Sequence, residues 1–179
     1  PGIFFTPSRS APTMRITLPF PRGVEYTKVR VQEDITHGGW FAKRPDGIHN
    51  FFWLAQGTNP DRIGYVNARG PKRELVYAVH HIGAPKSIAG RRLVREFRLT
   101  PGATYHFDYT YDAANHRVEL VVRDNQGNQL IRQTDNVTFT RRIFTRTYRY
   151  LIDFGLKDEA ADAPTVGWKY ANLKVEFFR

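Results

Sequence analysis

The sequence predicts an all-β fold of antiparallel strands, and two patterns carry that prediction. The first is a two-residue alternation: aromatic and polar residues alternate along YHFDYTYD (105–112), and apolar and charged residues largely do so along RVELVVRD (117–124). Such alternation is typical of strands with one buried and one solvent-facing side. The second is the spacing of turn residues at about 8–12 positions, as in sandwiches and barrels. No segment keeps a helical period over a window of about 11 residues.

Two turns frame the alternating strands. Ala113 to Asn115 supplies small and turn-prone residues between them, and Asn125-Gln126-Gly127-Asn128 follows the second strand. Gly and Asn adopt positive φ at low cost, which suits tight turns. The region therefore predicts a β-meander.

The other strands are predicted where alternating or apolar segments lie between Gly, Pro and Asn residues. The segment 14–18 is expected at a sheet edge because Pro19 and Pro21 follow it and proline cannot donate to a ladder. The segment 49–56 has the composition of a central strand. The remaining predicted strands are 26–36, 62–69, 73–81, 93–99, 129–134, 138–147, 148–156 and 167–178.

Length and composition predict one domain, residues 1–179, with roughly ten to twelve strands and an irregular N-terminal arm over 1–12. The chain has no cysteine, which excludes disulfides and thiol catalysis. It has no apolar run of about 18 residues, so no membrane-spanning helix is expected. Its net charge of +10 favours anionic surfaces or polymers as partners, although a basic solvated surface has the same composition.

The last strand and the central hairpin resemble a known superfamily. WKYANLKVEF (168–177) is similar to the closing strand of concanavalin A-like lectin/glucanase jelly rolls, and the segment from Pro101 to Gly127 is similar to the laminin G-type strand and turn order. The resemblance covers mainly residues 97–178. It implies a single antiparallel β-sandwich of the jelly-roll type, with sugar held on a concave sheet or at loops on its rim. Many members also carry a structural calcium ion.

Catalytic patterns of this superfamily are absent from the sequence. Retaining glucanases need Glu-x-Asp-x-x-Glu on one strand so that two carboxyl groups face one bond. Here Glu33 and Asp34 are adjacent, which directs them to opposite faces. Fragments similar to alginate-lyase motifs occur at 72–76 and 47–49, without the glutamine and second arginine and in reversed order. No catalytic residue is assigned, and whether the chain is an enzyme stays open, with a non-enzyme favoured.

Eight residues are the candidate ligand contacts. Aromatic rings stack on the apolar faces of sugars, while Asn, Arg and His give hydroxyl groups fixed partners. Two of the eight lie in a Gly- and Pro-rich loop, and the others alternate along two strands. They are Trp40 and Phe41 in the loop, His49, Phe51 and Trp53 on one strand, and Tyr65, Asn67 and Arg69 on the next. Phe51 and Trp53 could equally be core residues, as most sandwich aromatics are.

Other polar clusters give weaker expectations. The six histidines show no zinc spacing, and no cofactor is expected. The acidic loop 158–162 could offer carboxylates to calcium, or could simply be solvated. Arginine clusters at 91–98 and 141–149 are either solvated faces or contacts for phosphate, sulfate or uronate groups. Nucleic acid is not favoured, because no recognised binding module is present.

Together these patterns predict a non-catalytic carbohydrate-binding module or lectin that recognises a glycan, an anionic one being favoured by the charge. One alternative is a polysaccharide lyase or glycoside hydrolase on the same fold. Another is an interaction module for an anionic polymer or protein. A secreted or periplasmic location is the accompanying expectation.

Overall fold

The computed structural model describes residues 2–5, 13–18, 26–36, 48–56, 61–69, 74–79, 90–136, 150–157 and 168–179, with side chains for 26–36, 75, 97–136 and 169–179. Within these residues all regular structure is strand, and every pairing is antiparallel. The strands are β1 (Gly2–Phe5), β2 (Thr13–Leu18), β3 (Lys28–Thr36), β4 (Ile48–Gln56), β5 (Asp61–Arg69), β6 (Glu74–Val79), β7 (Gly90–Arg98), β8 (Thr104–Asp112), β9 (Arg117–Asp124), β10 (Gln129–Asn136), β11 (Tyr150–Lys157) and β12 (Trp168–Phe178).

The described strands form two six-stranded sheets. Sheet A has the order β1-β12-β3-β8-β9-β10, and sheet B has the order β2-β11-β4-β5-β6-β7. This architecture confirms the predicted all-β antiparallel sandwich. It also places β2 at the edge of sheet B and β4 in its interior, as the proline positions and the composition predict.

The N-terminal arm is the main difference from the sequence prediction. Residues 1–12 were expected to be irregular, but Gly2–Phe5 forms β1 and pairs with β12. The physical reason is that β12 would otherwise be an edge strand whose backbone donors and acceptors lack partners, and a short extended segment satisfies them. The predicted strand 138–147 lies outside the described residues.

Alternation along β3, β8 and β9 builds the core side of sheet A. In β3 every second residue is buried, and the half-exposed residues lie between them. The buried side chains of β8 are mostly aromatic, and each fully buried large side chain contributes about 1.5–3 kcal/mol. The core side comprises Val29, Val31 and Ile35 of β3, Tyr105, Phe107, Tyr109 and Tyr111 of β8, and Val118, Leu120 and Val122 of β9.

A contact between two aromatic rings joins β7 of sheet B to β8 of sheet A, where the chain passes between the two sheets. Phe97, near the end of β7 in sheet B, packs edge-on against Tyr105 of β8 with ring centroids 5.7 Å apart. The Tyr105 hydroxyl accepts a hydrogen bond of 2.8 Å from the backbone N–H of Thr100, which lies in the connection. The buried hydroxyl thus has a partner, and the crossover is fixed at both ends.

The turn between β9 and β10 confirms its predicted chemistry. Gly127 has φ +88°, a value that residues with a side chain rarely adopt. Asp124 Oδ1 accepts hydrogen bonds of 2.9 Å from the backbone N–H groups of Gln126 and Asn128. The Asn128 side chain donates to Asp124 Oδ2, and this bond is the main reason that the pKa of Asp124 is lowered. The turn is therefore organised by one carboxylate.

Glu33 is a charged residue on the core side of β3. It is 1% exposed, lies opposite Phe107 in the register, and neither carboxyl oxygen has a hydrogen-bond partner among the described residues. Burial, and secondarily the neighbouring charge of Asp34, raises the pKa of Glu33 well above its ordinary value. The folded state therefore favours the protonated carboxyl group.

The raised pKa of Glu33 predicts a pH-dependent loss of stability. The proton-bound form stabilises the fold fully below the unfolded-state pKa of about 4.3, and this contribution is lost as pH rises through the higher folded-state pKa. Relative to wild type, Glu33→Gln should gain free energy of unfolding between pH 4 and pH 8, at up to about 1.4 kcal/mol per pH unit. Urea unfolding across that range measures it, with Glu176→Gln as the half-exposed control. Parallel pH profiles for wild type and Glu33→Gln would contradict the assignment.

Candidate functional site

The ligand contacts predicted from the sequence fall on two regions. Trp40 and Phe41 lie outside the described residues. The other six lie on β4 and β5, which are adjacent in sheet B, but their side chains also lie outside the described residues. These six are His49, Phe51, Trp53, Tyr65, Asn67 and Arg69. All eight stay predictions.

The backbone register of β4 and β5 gives part of their arrangement. Trp53 lies opposite Tyr65, so these two predicted contacts are direct cross-strand neighbours. Asn67 lies opposite Asn50, and a register shift follows between Asn50 and Phe52. Strict alternation along β4, which the sequence prediction assumed, is therefore interrupted in the middle of the strand.

The described side chains form a polar surface on sheet A, whereas the predicted contacts on β4 and β5 belong to sheet B. This surface, called here the open face, is the side of sheet A that points away from the buried residues of β3, β8 and β9. Antiparallel register sets its residues in rows across β12, β3, β8 and β9. The rows are Phe178, Lys28, Asp112 and Arg117; Glu176, Arg30, Thr110 and Glu119; Lys174, Gln32, Asp108 and Val121; and Ala171, Asp34, His106 and Arg123.

An open depression of about 450 Å³ lies on this face. Arg132 of β10 joins its lining, because this residue is opposite Val121 in the register. The basic lining residues are Lys28, Arg30, Arg117, Arg123 and Arg132, and the acidic ones are Asp108, Asp112 and Glu119. Thr110, Asn115, Val121 and Phe178 complete the lining.

Asp108 is the central charge of the depression, and its side chain is only 8% exposed. The Arg30 guanidinium donates from Nε at 2.8 Å and from Nη2 at 2.5 Å to the two carboxylate oxygens, a bidentate arrangement. Gln32 Nε2 lies 3.4 Å from Oδ2. The hydrogen bond to Asp108 is the main reason that the pKa of Arg30 is raised. The guanidinium of Arg30 is therefore held in its charged form beside Asp108.

Glu119 forms a second charged centre toward β10. Its Oε1 accepts a hydrogen bond from Arg117 Nη2 at 2.8 Å and forms an ion pair with Arg132 Nε at 2.9 Å. The carboxylate is thus shared by arginines of two neighbouring strands, and it limits the conformations that both long side chains sample. Exposed pairs of this kind add little stability, so their main effect is to position the guanidinium groups.

A histidine and a carboxylate pair beside the depression. His106 Nδ1 lies 2.6 Å from Asp34 Oδ1, and Asn172 Nδ2 donates to Asp34 Oδ2 at 2.6 Å. Asn172 has φ +53° and lies where the register between β12 and β3 shifts, between Ala171 and Lys174. The irregularity turns the Asn172 amide toward β3, as bulges often re-aim a side chain. In the register His106 is opposite Arg123, which lines the depression.

An aromatic ring lies at the other end of the depression. Phe178 is 39% exposed, and the Lys28 Nζ atom is 5.0 Å from the centroid of its ring. A half-exposed ring beside charged groups can bind an apolar surface of a ligand while its neighbours bind polar groups. The arrangement combines, on one face, the two kinds of contact that the sequence analysis assigned to β4 and β5.

The sequence analysis did not select the open face as a site. The signal was nevertheless present, because His106, Asp108 and Thr110 occupy the polar positions of the same alternation that predicted the hairpin. Alternation alone does not show which residues on a neighbouring strand lie beside these polar positions. Arg30 and Asp108 are 78 residues apart, and only the register of β3 and β8 brings them together.

The described residues contain no cluster of three or more side chains of the metal-binding types. The loop 158–162, where calcium was considered, lies outside them. In the described part of the chain, no helix is long and apolar enough to cross a membrane.

The buried position of Asp108 predicts that its removal destabilises the fold. Asp108→Ala would leave the Arg30 guanidinium without its bidentate partner, at an expected cost of about 1–3 kcal/mol in the free energy of unfolding. The pair Lys174–Glu176, with Nζ and Oε1 2.7 Å apart and side chains 60% and 29% exposed, is the less buried control, and Glu176→Ala should cost at most about 1 kcal/mol. Urea unfolding at pH 7 measures both variants. Equal costs would show that Asp108 is no more than another surface charge.

No known protein-family profile and no curated protein sequence match the chain. Solved structures do match in fold. A heptameric SAP-like pentraxin from Limulus polyphemus has a TM-score of 0.55 at 13% identity, over 92% of this chain and 69% of its own. The alginate lyase from Klebsiella pneumoniae has a TM-score of 0.55 at 9% identity, over 84% of this chain and 60% of its own. The CBM2 module of the Lactobacillus casei BL23 phage J-1 evolved Dit has a TM-score of 0.53 at 10% identity, over 91% of this chain and 67% of its own.

Identities this low establish likeness of fold alone. The pairings of the described strands and these neighbours agree on an antiparallel β-sandwich of the jelly-roll type. The chain therefore has the predicted jelly-roll architecture.

Proposed function

We propose that the chain is a carbohydrate-binding domain that holds a glycan on the open face of sheet A without changing it chemically. The observation that carries the proposal is the depression of about 450 Å³, which is lined mainly by charged and hydrogen-bonding side chains. Its volume lies in the range of small-molecule sites, about 300–1,000 Å³. A mainly polar lining suits a ligand rich in hydroxyl groups better than an apolar one.

The ion pairs of the open face support this role. Arg30 is fixed by Asp108, and Arg117 and Arg132 are fixed by Glu119, so their remaining donors point in restricted directions before a ligand arrives. Pre-ordered side chains reduce the entropy that binding must overcome. Phe178 adds an exposed ring on which the apolar face of a sugar can stack.

Proteins of similar fold are consistent with such a role. They include a pentraxin, an alginate lyase and a CBM2 module, that is, proteins that differ in activity on one architecture. The fold therefore favours a carbohydrate-related function and leaves the choice between binding and catalysis to the site.

The carboxylates of the depression favour binding over hydrolysis. A glycosidase needs one carboxyl group that is protonated and can donate to the leaving oxygen. The oxygens of Asp108 and Glu119 instead accept hydrogen bonds from guanidinium groups within the protein, so neither carboxyl group is placed to donate a proton to a leaving oxygen. We assign neither residue a catalytic role.

The loop residues Trp40 and Phe41 and the six residues on β4 and β5 are a second proposed contact surface. It draws support from the cross-strand pair Trp53 and Tyr65. Because that pair belongs to sheet B, substitutions there and on the open face can be compared separately for their effect on binding.

Filling the depression should abolish glycan binding. Thr110 lies in its lining and is half-buried, so Thr110→Trp should occupy the space and reduce affinity for any glycan found on an array by ~10-fold or more. Titration calorimetry with the best array glycan measures the loss, and thermal unfolding checks the fold.

Thr104→Trp is the matched control, because Thr104 is a half-buried threonine on the open face of the same strand and does not line the depression. The Thr104→Trp variant loses the hydrogen bond of 2.8 Å between the Thr104 and Thr36 hydroxyl groups, so its thermal stability is measured as well. Equal affinities for Thr110→Trp and wild type would show that the glycan does not bind on the open face.

A polysaccharide lyase is the second candidate function, and the His106–Asp34 pair is the observation that favours it. A carboxylate on Nδ1 orients an imidazole so that Nε2 can exchange a proton with a substrate. In such an elimination the base removes the proton on the carbon beside a uronate carboxylate. A carbon–carbon double bond then forms as the glycosidic C–O bond breaks, and the departing oxygen takes a proton.

Lyase activity would produce unsaturated sugars that absorb in the ultraviolet. Incubation of the wild type with a polyuronate should give no increase in absorbance if the protein only binds. If absorbance does rise, His106→Gln should lower the rate by at least ~100-fold while leaving the affinity for the polymer nearly unchanged. A rise that His106→Gln removes would replace the binding proposal with the lyase.

A further inference from the structure

The charges in the depression do not balance. Five basic and three acidic side chains line it, so it carries an excess of two positive charges when no ligand is bound. Low-dielectric walls strengthen the attraction of such an excess for anions. The excess can be traced to particular side chains, because the acidic groups are not shared equally among the arginines.

Arg30 is the arginine that is most fully paired. Arg30 uses both Nε and Nη2 on Asp108, and Arg117 Nη2 donates to Glu119 at 2.8 Å. Arg123 differs, because its Nη1 lies 4.0 Å from Asp108 Oδ2, beyond hydrogen-bond distance. Arg132 contacts Glu119 through Nε, which leaves the outer edge of its guanidinium group for a ligand, and its side chain is 58% exposed.

Arg123 and Arg132 are neighbours on the open face. Arg132 lies opposite Val121, and Arg123 is two residues further along β9 on the same face. Such diagonal positions in an antiparallel pair are about 7–8 Å apart, a separation that two long side chains can span from either side of a small group. Val121, the register partner of Arg132, is 4% exposed and has no polar side-chain atom.

We infer that Arg123 and Arg132 form a subsite for a carboxylate or sulfate group, and that the glycan bound on the open face is acidic. This inference rests on the proposed function. Two guanidinium groups supply several donors to an anion with two or more oxygens, a geometry that an ammonium group does not reproduce. The rest of the sugar lies along the depression, where Thr110 and Asn115 offer hydrogen-bonding groups.

The first test compares acidic polymers with matched neutral ones. Polygalacturonate and its carboxyl-reduced form differ in the carboxylate, and dextran sulfate and dextran differ in the sulfate. Wild type should bind at least one acidic polymer ~10-fold or more tightly than its neutral counterpart at 50 mM salt. The two pairs distinguish a uronate from a sulfated sugar.

The second test locates the subsite. Arg123→Gln and Arg132→Gln should each weaken binding of the acidic polymer ~10-fold and leave the neutral polymer within about 2-fold. Arg123→Lys should recover only part of the loss, since the charge returns without the fork. Arg98→Gln is the matched control: Arg98 is exposed at the end of β7 in sheet B, so the variant loses the same net charge away from the open face.

Salt separates a local contact from general attraction. Affinity of wild type should fall more steeply between 50 and 300 mM salt than affinity of Arg123→Gln, because screening acts on the charge pair that the variant lacks. Arg98→Gln should keep the wild-type slope. Thermal unfolding of each variant verifies the fold. Arg123→Gln should unfold close to the wild-type temperature, because Arg123 Nη1 lies 4.0 Å from Asp108 and contributes little to stability.

Failure of this inference differs from failure of the proposed function. If wild type binds neutral and acidic polymers equally and Thr110→Trp abolishes both, the binding domain stands and the acidic subsite is wrong. Equal losses for Arg98→Gln and Arg123→Gln would also overturn the subsite. Tighter binding of single-stranded DNA than of either acidic polymer would replace the glycan with a nucleic acid. If no polymer and no array glycan binds, the proposed function itself is wrong.

Discussion

The antiparallel register of β3, β8 and β9 is the constraint on which both sides of sheet A depend. It runs without a shift along all nine residues of β3 and continues across β8 to β9. Because side chains alternate between faces, every aromatic residue that enters the core also fixes a polar neighbour on the open face. The tyrosines and phenylalanine of β8 therefore position His106, Asp108 and Thr110, although these residues lie on the other face of the sheet.

A nearly buried carboxylate then organises the polar side. The Asp108 side chain is only 8% exposed, and its Oδ2 lies 2.5 Å from Arg30 Nη2 and 4.0 Å from Arg123 Nη1. Removing one partner of such a group leaves an uncompensated charge, whereas an exposed pair tolerates the same change. The stability of the fold thus depends on these arginines to different degrees, most on Arg30, which donates to Asp108 at 2.8 Å, and least on Arg123, which lies 4.0 Å from it.

Local strands and turns could be predicted from the sequence, whereas the pairing of strands could not. Alternation predicted the hairpin and its turns, and Pro19 placed β2 at an edge, because these features depend on neighbours in the chain. Gly2–Phe5 was missed because a four-residue segment becomes a strand only when β12 offers an edge. The Asp108 cluster and the Asn172 contact to Asp34 join residues 78 and 138 positions apart, which no periodicity reveals. The site was predicted on β4 and β5 because aromatic residues can be identified in a sequence, whereas the register between strands cannot.

The turn at Asp124 has a consequence for how this protein tolerates insertions and deletions. Its hydrogen bonds and the φ of Gly127 set the point at which β10 begins to pair with β9. One residue gained or lost there would shift the pairing by one position and exchange the two faces of β10. Arg132 would then enter the side now occupied by Ile131, and Ile131 would take its place on the open face. Natural or engineered variants should accordingly change the identity of these turn residues more readily than their number.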